Sequence, residues 1–169
     1  MDKTSLGDRM KNYEAATDTR LMPRLPVVVR LDGKKFSKFT KNMKRPFDDD
    51  FREAMVNTAK FLVSQTDAKI AYTQSDEITL IMYAENQKNG SIIFDARVQK
   101  ICSTFAGMAS TYFLMEVMKR WPEKINAFLE EVMKGWDGIA NLGKPPIFDC
   151  RIFAVPSKLE AYNAVLWRE

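Results

Sequence analysis

Val27-Val28-Val29-Arg30-Leu31 is an almost wholly β-branched and apolar run that stops abruptly at Asp32-Gly33. Branched Cβ atoms lose rotamer freedom in a helix and pack well on a pleated surface, so the run reads as a buried strand. Whatever the chain folds into must be built around that strand. Downstream, Asp48, Asp49 and Asp50 crowd the expected start of a helix, where the macrodipole favours negative charge. That helix is predicted to run to about Gln65, burying Phe51, Ala54, Met55, Thr58, Phe61 and Leu62. Lys69 to Gln74 reads as a strand, Ser75-Asp76-Glu77 as a tight turn, and Ile78 to Tyr83 as the returning strand.

The flanks complete the pattern. Leu6, Met10 and Tyr13 recur on one face of a predicted helix from Leu6 to Thr17, with Ser5 as its cap. Pro23 and Pro26 punctuate the connection to the first strand, and Asn89-Gly90 marks a turn after the hairpin. A long helix is predicted from Asp95 to about Lys119, with Ala106, Gly107, Ala109 and Ser110 allowing close approach to a sheet. Met108, Met115 and Met118 read as core. Trp121-Pro122 ends this helix, and Glu123 to Lys134 is a further helical segment. Gly138, Gly143, Pro145 and Pro146 form a linker, Phe148 to Val155 a last strand, and a final helix follows Ser157 and ends at Trp167. Strand, helix, hairpin, helix, strand is the split βαβ order of an α+β, ferredoxin-like domain, expected as an antiparallel sheet with helices packed on one face. One domain spanning residues 1–169 fits the length.

Composition excludes much. The chain has no histidine, so histidine cannot serve as general base, metal ligand or triad member. Its two cysteines, Cys102 and Cys150, form no C-x-x-C pair, which argues against a zinc site and a disulfide framework and for a reducing, cytoplasmic setting. No run of about 18 apolar residues marks a membrane span, and the charged N-terminus lacks a signal-peptide core. A net charge of +4 leans mildly toward a polyanionic partner.

Chemistry must therefore rest on carboxylates, lysines, hydroxyls or an oxygen-ligated metal. Asp32 ends the first strand and Asp76 sits at the hairpin; in a split βαβ sheet those strands are neighbours, so both carboxylates can converge on one sheet end. Two carboxylates with the Gly33 backbone carbonyl suit Mg²⁺, and glycine would let the backbone approach the ion. A pair of such ions could activate a hydroxyl and steady a leaving pyrophosphate. Asp-Gly is also a common turn signal, and three polar residues are usual at a hairpin tip. Between them, Lys34, Lys35, Lys38, Lys41, Lys44 and Arg45 alternate with Phe36, Phe39 and Phe47, a phosphate-binding loop or a solvated one. Arg97 and Lys100 are a further basic pair at helical spacing. Arg30 reads as a paired core or interface charge, and Asp149 with Arg151 as a structural ion pair on the last strand.

The blocks Arg30-Leu31-Asp32-Gly33-Lys34-Lys35-Phe36-Ser37-Lys38-Phe39 and Ala71-Tyr72-Thr73-Gln74-Ser75-Asp76-Glu77 resemble the R-L-D-G-x-x-F-x-x-F and A-Y-x-Q-S-D-E motifs of the tRNA-His guanylyltransferase family. Phe148-Asp149-Cys150-Arg151 and Leu166-Trp167-Arg168 resemble its F-D-x-R and L-W-R stretches, in family order. The resemblance implies a polymerase-type palm that adds nucleotides in the 3′–5′ direction to the 5′ end of tRNA. Either tRNA-His guanylylation or template-dependent 5′-end repair would follow, with GTP and ATP as substrates. It implies metal ligands at Asp32, Gly33 and Asp76, with Ser75 and Glu77 needed for activity. Nucleotide contacts would come from Lys34, Lys35, Phe36, Ser37, Lys44, Arg45, Ser75 and Asp76, and tRNA contacts from Arg97 and Lys100. A homodimer or homotetramer is also implied. Ser37 stands where many members have histidine, and the family's H-I-N-N-L-Y-N block and C-terminal region are not in these residues. The opening Ser5-Leu6-Gly7-Asp8-Arg9-Met10-Lys11 favours the repair branch. A non-catalytic RNA-binding module of the same topology would need an aromatic platform on its central strands, which Val27–Leu31 and Ile78–Tyr83 lack. A cyclase-like palm would need a different hairpin tip.

Overall fold

The computed structural model describes residues 5–83, 92–133 and 146–168. Four strands, β1 (Val27–Gly33), β2 (Ala68–Gln74), β3 (Glu77–Met82) and β4 (Phe148–Ala154), form one antiparallel sheet in the order β2-β3-β1-β4. The β-branched run thus occupies an inner position, hydrogen-bonded on both edges. Among the described residues six α-helices accompany the sheet: α1 (Leu6–Ala15), the short α2 (Phe36–Phe39), α3 (Asp49–Gln65), α4 (Val98–Arg120), α5 (Pro122–Met133) and α6 (Lys158–Leu166). The expected Asn89-Gly90 turn, and the linker from Gly138 to Pro145, lie outside the described residues.

Alternation along the strands sorts side chains between two faces. Val27, Val29 and Leu31 on β1 face the same way as their partners Met82, Leu80 and Ile78 on β3, and α3 and α4 cover them. Val28 and Ile81 point oppositely and are covered by Ala161, Ala164 and Val165 of α6. Helices on one face is therefore right for α3 and α4, whereas α6 crosses the other. Both α3 and α6 begin as capped helices: the Asp48 carboxylate accepts from the Phe51 N–H at 2.9 Å, and Ser157 Oγ from the Glu160 N–H at 3.2 Å.

By length and composition α4 could cross a membrane, but Ile101, Phe105, Ala109, Phe113 and Val117 are fully buried among the core residues of the sheet and α3. The small residues at its centre divide. Ala109 is buried, and Ser110 Oγ accepts from the Phe148 N–H of β4 at 2.9 Å, while Gly107 faces open space. Met115 and Met118 are exposed and not core, because they fall on the outer face of α4. The expected start at Asp95 is displaced: Phe94, Asp95 and Ala96 have positive φ and form a kink, so the regular helix begins at Val98.

Under the end of the sheet where β1 stops, Phe36, Phe39, Phe51, Phe113 and Phe148 form an aromatic cluster, with Phe36 5.1 Å from Phe148 and 5.2 Å from Phe113. Pairs of this kind add about 0.5–1.5 kcal/mol each beyond area burial. They anchor the basic loop after β1 from beneath, alongside backbone bonds such as Lys34 N–H to the Ile147 carbonyl at 2.8 Å and Thr40 N–H to the Phe36 carbonyl at 2.8 Å.

Candidate active site

Because β1 lies between β3 and β4, Asp32 stands directly opposite Glu77 on one side and Asp149 on the other. Cross-strand partners share a face, so Glu77, Asp32 and Asp149 form an acidic row on the face away from α3 and α4. Asp76 adjoins the row from the β2–β3 turn, where its carbonyl accepts the Gly33 N–H at 3.0 Å. Ser75 takes a left-handed conformation, φ 52°, and its Oγ donates to Asp76 Oδ1 at 3.2 Å. Asp32, Gly33, Ser75, Asp76 and Glu77 are thereby gathered at one end of the sheet.

The row is only partly neutralised. Arg168 pairs with Glu77, and Arg151 lies 3.7 Å from Asp149. Among the described residues no group donates a hydrogen bond to the Asp32 carboxylate. Its pKa is raised by burial first, then by the negative charges of Asp76, Asp149 and Glu77, with Arg151 opposing them only in part. A half-buried carboxylate flanked by like charges is a place for a cation. Among the described residues no group of three or more His, Cys, Asp or Glu side chains forms a metal cage. Asp32, Asp76 and the Gly33 carbonyl are an open, all-oxygen donor set, which fits a Mg²⁺ ion that keeps waters and substrate oxygens around it.

Gly33 has a second reason to be glycine. A Cβ there would sit 2.5 Å from the Phe36 ring, which packs directly beneath the turn. Phe36 itself is 2% exposed, so its ring is the floor under Gly33 and not a surface for a base. Lys34, Lys35 and Ser37 are exposed around that floor. Beyond them, a cavity of about 450 Å³ is lined by Lys44, Arg45, Phe47, Arg52 and Ser75, with Met43, Phe51 and Met55 among its apolar walls. Asp48 fixes this loop, its other carboxylate oxygen accepting from the Lys44 N–H at 3.1 Å. Burial would raise the Asp48 pKa, but the backbone donors of Phe51 and Lys44 and the Lys44 charge outweigh it and hold the group below the usual range.

Arg97 and Lys100 are not brought to this end. Ser110 touches β4 beside Gly33, and Arg97 lies thirteen residues earlier, about 20 Å back along α4 at 1.5 Å per residue. Lys100 packs over the Phe94 ring at 4.9 Å. Conversely, Asp149 and Arg168 join the site although sequence reasoning gave them no part in it. The strand order of a split βαβ sheet, which sets β4 beside β1, was the available signal for Asp149. Arg30, 9% exposed, lies one cross-strand pair inward on the same face; it donates to the Ala164 carbonyl at 2.9 Å and stands over Trp167 at 5.3 Å. It is a core charge held by α6. Asp149 and Arg151 do form the expected ion pair.

A ferredoxin-like sheet with acidic residues gathered at one end, and a cation-lined cavity that reaches the same hairpin at Ser75, is the architecture of nucleotidyltransferase palms. A sequence model of the tRNAHis guanylyltransferase family matches residues 7–156, and the chain belongs to that family. It is 30% identical over 152 residues to the tRNA(His) guanylyltransferase of Debaryomyces hansenii, covering 88% of this chain and 50% of that protein. A solved bacterial tRNA(His) guanylyltransferase-like protein in complex with ATP superposes with a TM-score of 0.81 at 34% identity, covering 98% of this chain and 64% of that one. One in complex with GTP gives 0.81 at 33% identity, covering 97% and 69%. The chain spans about half the length of the curated relatives it matches.

Proposed function

We propose that this chain is a metal-dependent nucleotidyltransferase palm that adds nucleotides 3′–5′ at the 5′ end of tRNA, with 5′-end repair favoured over strict tRNA-His guanylylation. The observation that carries the reading is the under-neutralised Asp32, held among Asp76, Glu77 and Asp149, with a cavity lined by Lys44 and Arg45 that reaches the same hairpin at Ser75, the neighbour of Asp76. The ATP and GTP complexes of the relatives support nucleoside triphosphates as substrates. Ser37 in place of the common histidine, and the opening residues, support repair.

Asp32, Asp76 and the Gly33 carbonyl would hold Mg²⁺, which when bound lowers the pKa of an attacking hydroxyl and offsets charge on the transferring phosphoryl group. Lys44 and Arg45 hold the triphosphate of the incoming nucleotide. Ser75 orients Asp76 through its hydrogen bond, and Arg168 holds Glu77 in place. With no histidine in the chain, the proton of the attacking 3′-hydroxyl passes to a carboxylate of the row or to water. Exposed apolar residues on α1 (Leu6, Met10, Tyr13), on α6 (Leu159, Tyr162) and at its C-cap (Trp167) support assembly into a homo-oligomer.

Labelled-nucleotide incorporation on full-length and 5′-truncated tRNA, with each nucleotide in turn, tests the reading. Addition to the truncated substrate that follows the opposite strand is expected. Guanosine addition to intact tRNA-His alone would replace repair by guanylylation, and no addition to either, with Mg²⁺ and nucleotide bound, would overturn the activity for this chain.

A further inference from the structure

Phe47 is out of place by every structural criterion. It is 82% exposed, whereas Phe36, Phe39, Phe51, Phe113 and Phe148 nearby all pack on one another. It immediately precedes the N-cap Asp48, the position from which an apolar side chain often staples onto the fourth residue of the helix. Here that residue is Arg52, which is exposed and paired with Asp49, so no staple forms. Phe47 makes no ring or cation–π contact among the described residues. Yet its backbone is held firmly, since Asp48 bonds both the Lys44 and the Phe51 N–H.

Phe47 lines the 450 Å³ cavity together with Lys44, Arg45, Arg52 and Ser75, the neighbour of Asp76. Several polar groups of that cavity are already engaged, whereas the Gln74 side-chain amide, which also lines it, makes no hydrogen bond among the described residues. Thr40 Oγ1 donates to the Phe36 carbonyl, Thr73 Oγ1 to the Glu77 carbonyl, Ser75 Oγ to Asp76, and both Asp48 oxygens are taken. A recess with apolar walls, cations in its lining and a free aromatic face suits a nucleobase attached to phosphates, and the Gln74 amide leaves room for an edge contact that the comparison of bases below measures. Stacking on an aromatic ring tolerates every base, because each has a π-face.

We infer that Phe47 is the stacking platform for the base of the incoming nucleoside triphosphate, binding all four bases through their faces more than their edges. The inference rests on the nucleotidyltransferase reading above and adds to it the residue that positions the base. It also gives a reason for template-directed addition, in which the opposing strand and not the pocket selects the nucleotide.

The test is titration of the whole chain in Mg²⁺ with ATP, GTP, CTP, UTP and inorganic tripolyphosphate, in parent, Phe47→Ala, Phe47→Leu and Phe47→Trp. Phe47→Ala is expected to weaken all four nucleotides roughly 5- to 100-fold while leaving tripolyphosphate within twofold. Phe47→Leu falls between, and Phe47→Trp binds like the parent with its indole emission changed by nucleotide and not by tripolyphosphate. Unchanged nucleotide affinity in Phe47→Ala overturns the inference. So does an equal loss for tripolyphosphate, which would mean a disturbed loop, or a loss confined to one base, which would mean edge recognition. If the parent binds none of the five probes, the nucleotidyltransferase reading falls first and this inference with it.

Discussion

The two faces of the sheet are written by alternate residues of the same strands and do opposite work. On one, Val27, Val29 and Leu31 meet Met82, Leu80 and Ile78 under α3 and α4, with nothing polar to satisfy. On the other, Val28 gives way to Arg30 and then Asp32, opposite Ile81, Thr79 and Glu77. The buried face carries the apolar area that stabilises the fold. The other face, covered by α6 over Val28 and Ile81 and open only at its end, concentrates like charge there, an arrangement that costs stability without a cation. A one-residue slip of β1 would exchange the two, so the register that makes the core also makes the site.

The largest effect should come from the floor where the faces meet. Phe36→Ala removes the centre of the aromatic cluster and is expected to cost about 3–5 kcal/mol in denaturant unfolding. Variants that still fold should bind Mg²⁺ and GTP with slackened affinity, because the Gly33 turn has lost its support. A cost below about 1 kcal/mol would mean that the cluster is not what holds the basic loop. Asp76→Ala should do the converse. Mg²⁺-dependent GTP binding is expected to fall on the order of 100-fold, with the unfolding midpoint little changed, since the side chain bonds only Ser75. Equal GTP titrations in mutant and parent would remove the metal assignment. Gly33→Ala tests both faces at once: its Cβ meets the Phe36 ring at 2.5 Å, and overpacking of this kind costs about 1–3 kcal/mol. Phe36→Leu in the same chain should recover part of that loss; a double variant no better than Gly33→Ala would assign the cost to something other than this contact.

The buried face was the more legible of the two. β1, the hairpin and the Asp48 cap follow from β-branched runs, alternation and a capping residue, all of which are local. The meeting of Asp32 with Asp76 was legible through topology, since a split βαβ order sets β1 beside β3. What escaped is whatever depends on packing between distant segments. Phe36 sits in a basic loop and resembles a ligand contact until Phe51, Phe113 and Phe148 are seen around it. Asp149 looked like half of an ion pair, which it is, but only the β1–β4 register makes it Asp32's neighbour. Arg97 and Lys100 have the spacing of a phosphate clamp, and the direction of α4 carries them away from the acids, which bears on a nucleotide contact and not on the expected tRNA one. Met115 and Met118 were read as core from residue type alone, and helix phase exposes them.

The smallest predicted effect isolates the cost of that open end. Asp32 stands between Glu77 and Asp149, and like charges directly opposite each other on a sheet disfavour folding by amounts of about 0.2–1 kcal/mol. Asp32→Asn should therefore stabilise the chain in EDTA at neutral pH by about that much while abolishing Mg²⁺-dependent binding. The pH dependence gives the sign. The Asp32 pKa is raised in the folded state, so folding favours its protonated form. That contribution is complete below the ordinary carboxylate range and is lost as pH rises through the raised value, because the folded chain must then carry the extra charge. The advantage of Asp32→Asn should accordingly be absent in acid, grow as Asp32 ionises, and level off once ionisation is complete. Saturating Mg²⁺ should close the gap from the other side, since the ion stabilises only the parent's charged form. Unfolding curves of parent and Asp32→Asn across pH, with and without Mg²⁺, read all of this. A gap that is constant with pH, or indifferent to the metal, would mean that the acidic row is structural and that the cation belongs elsewhere.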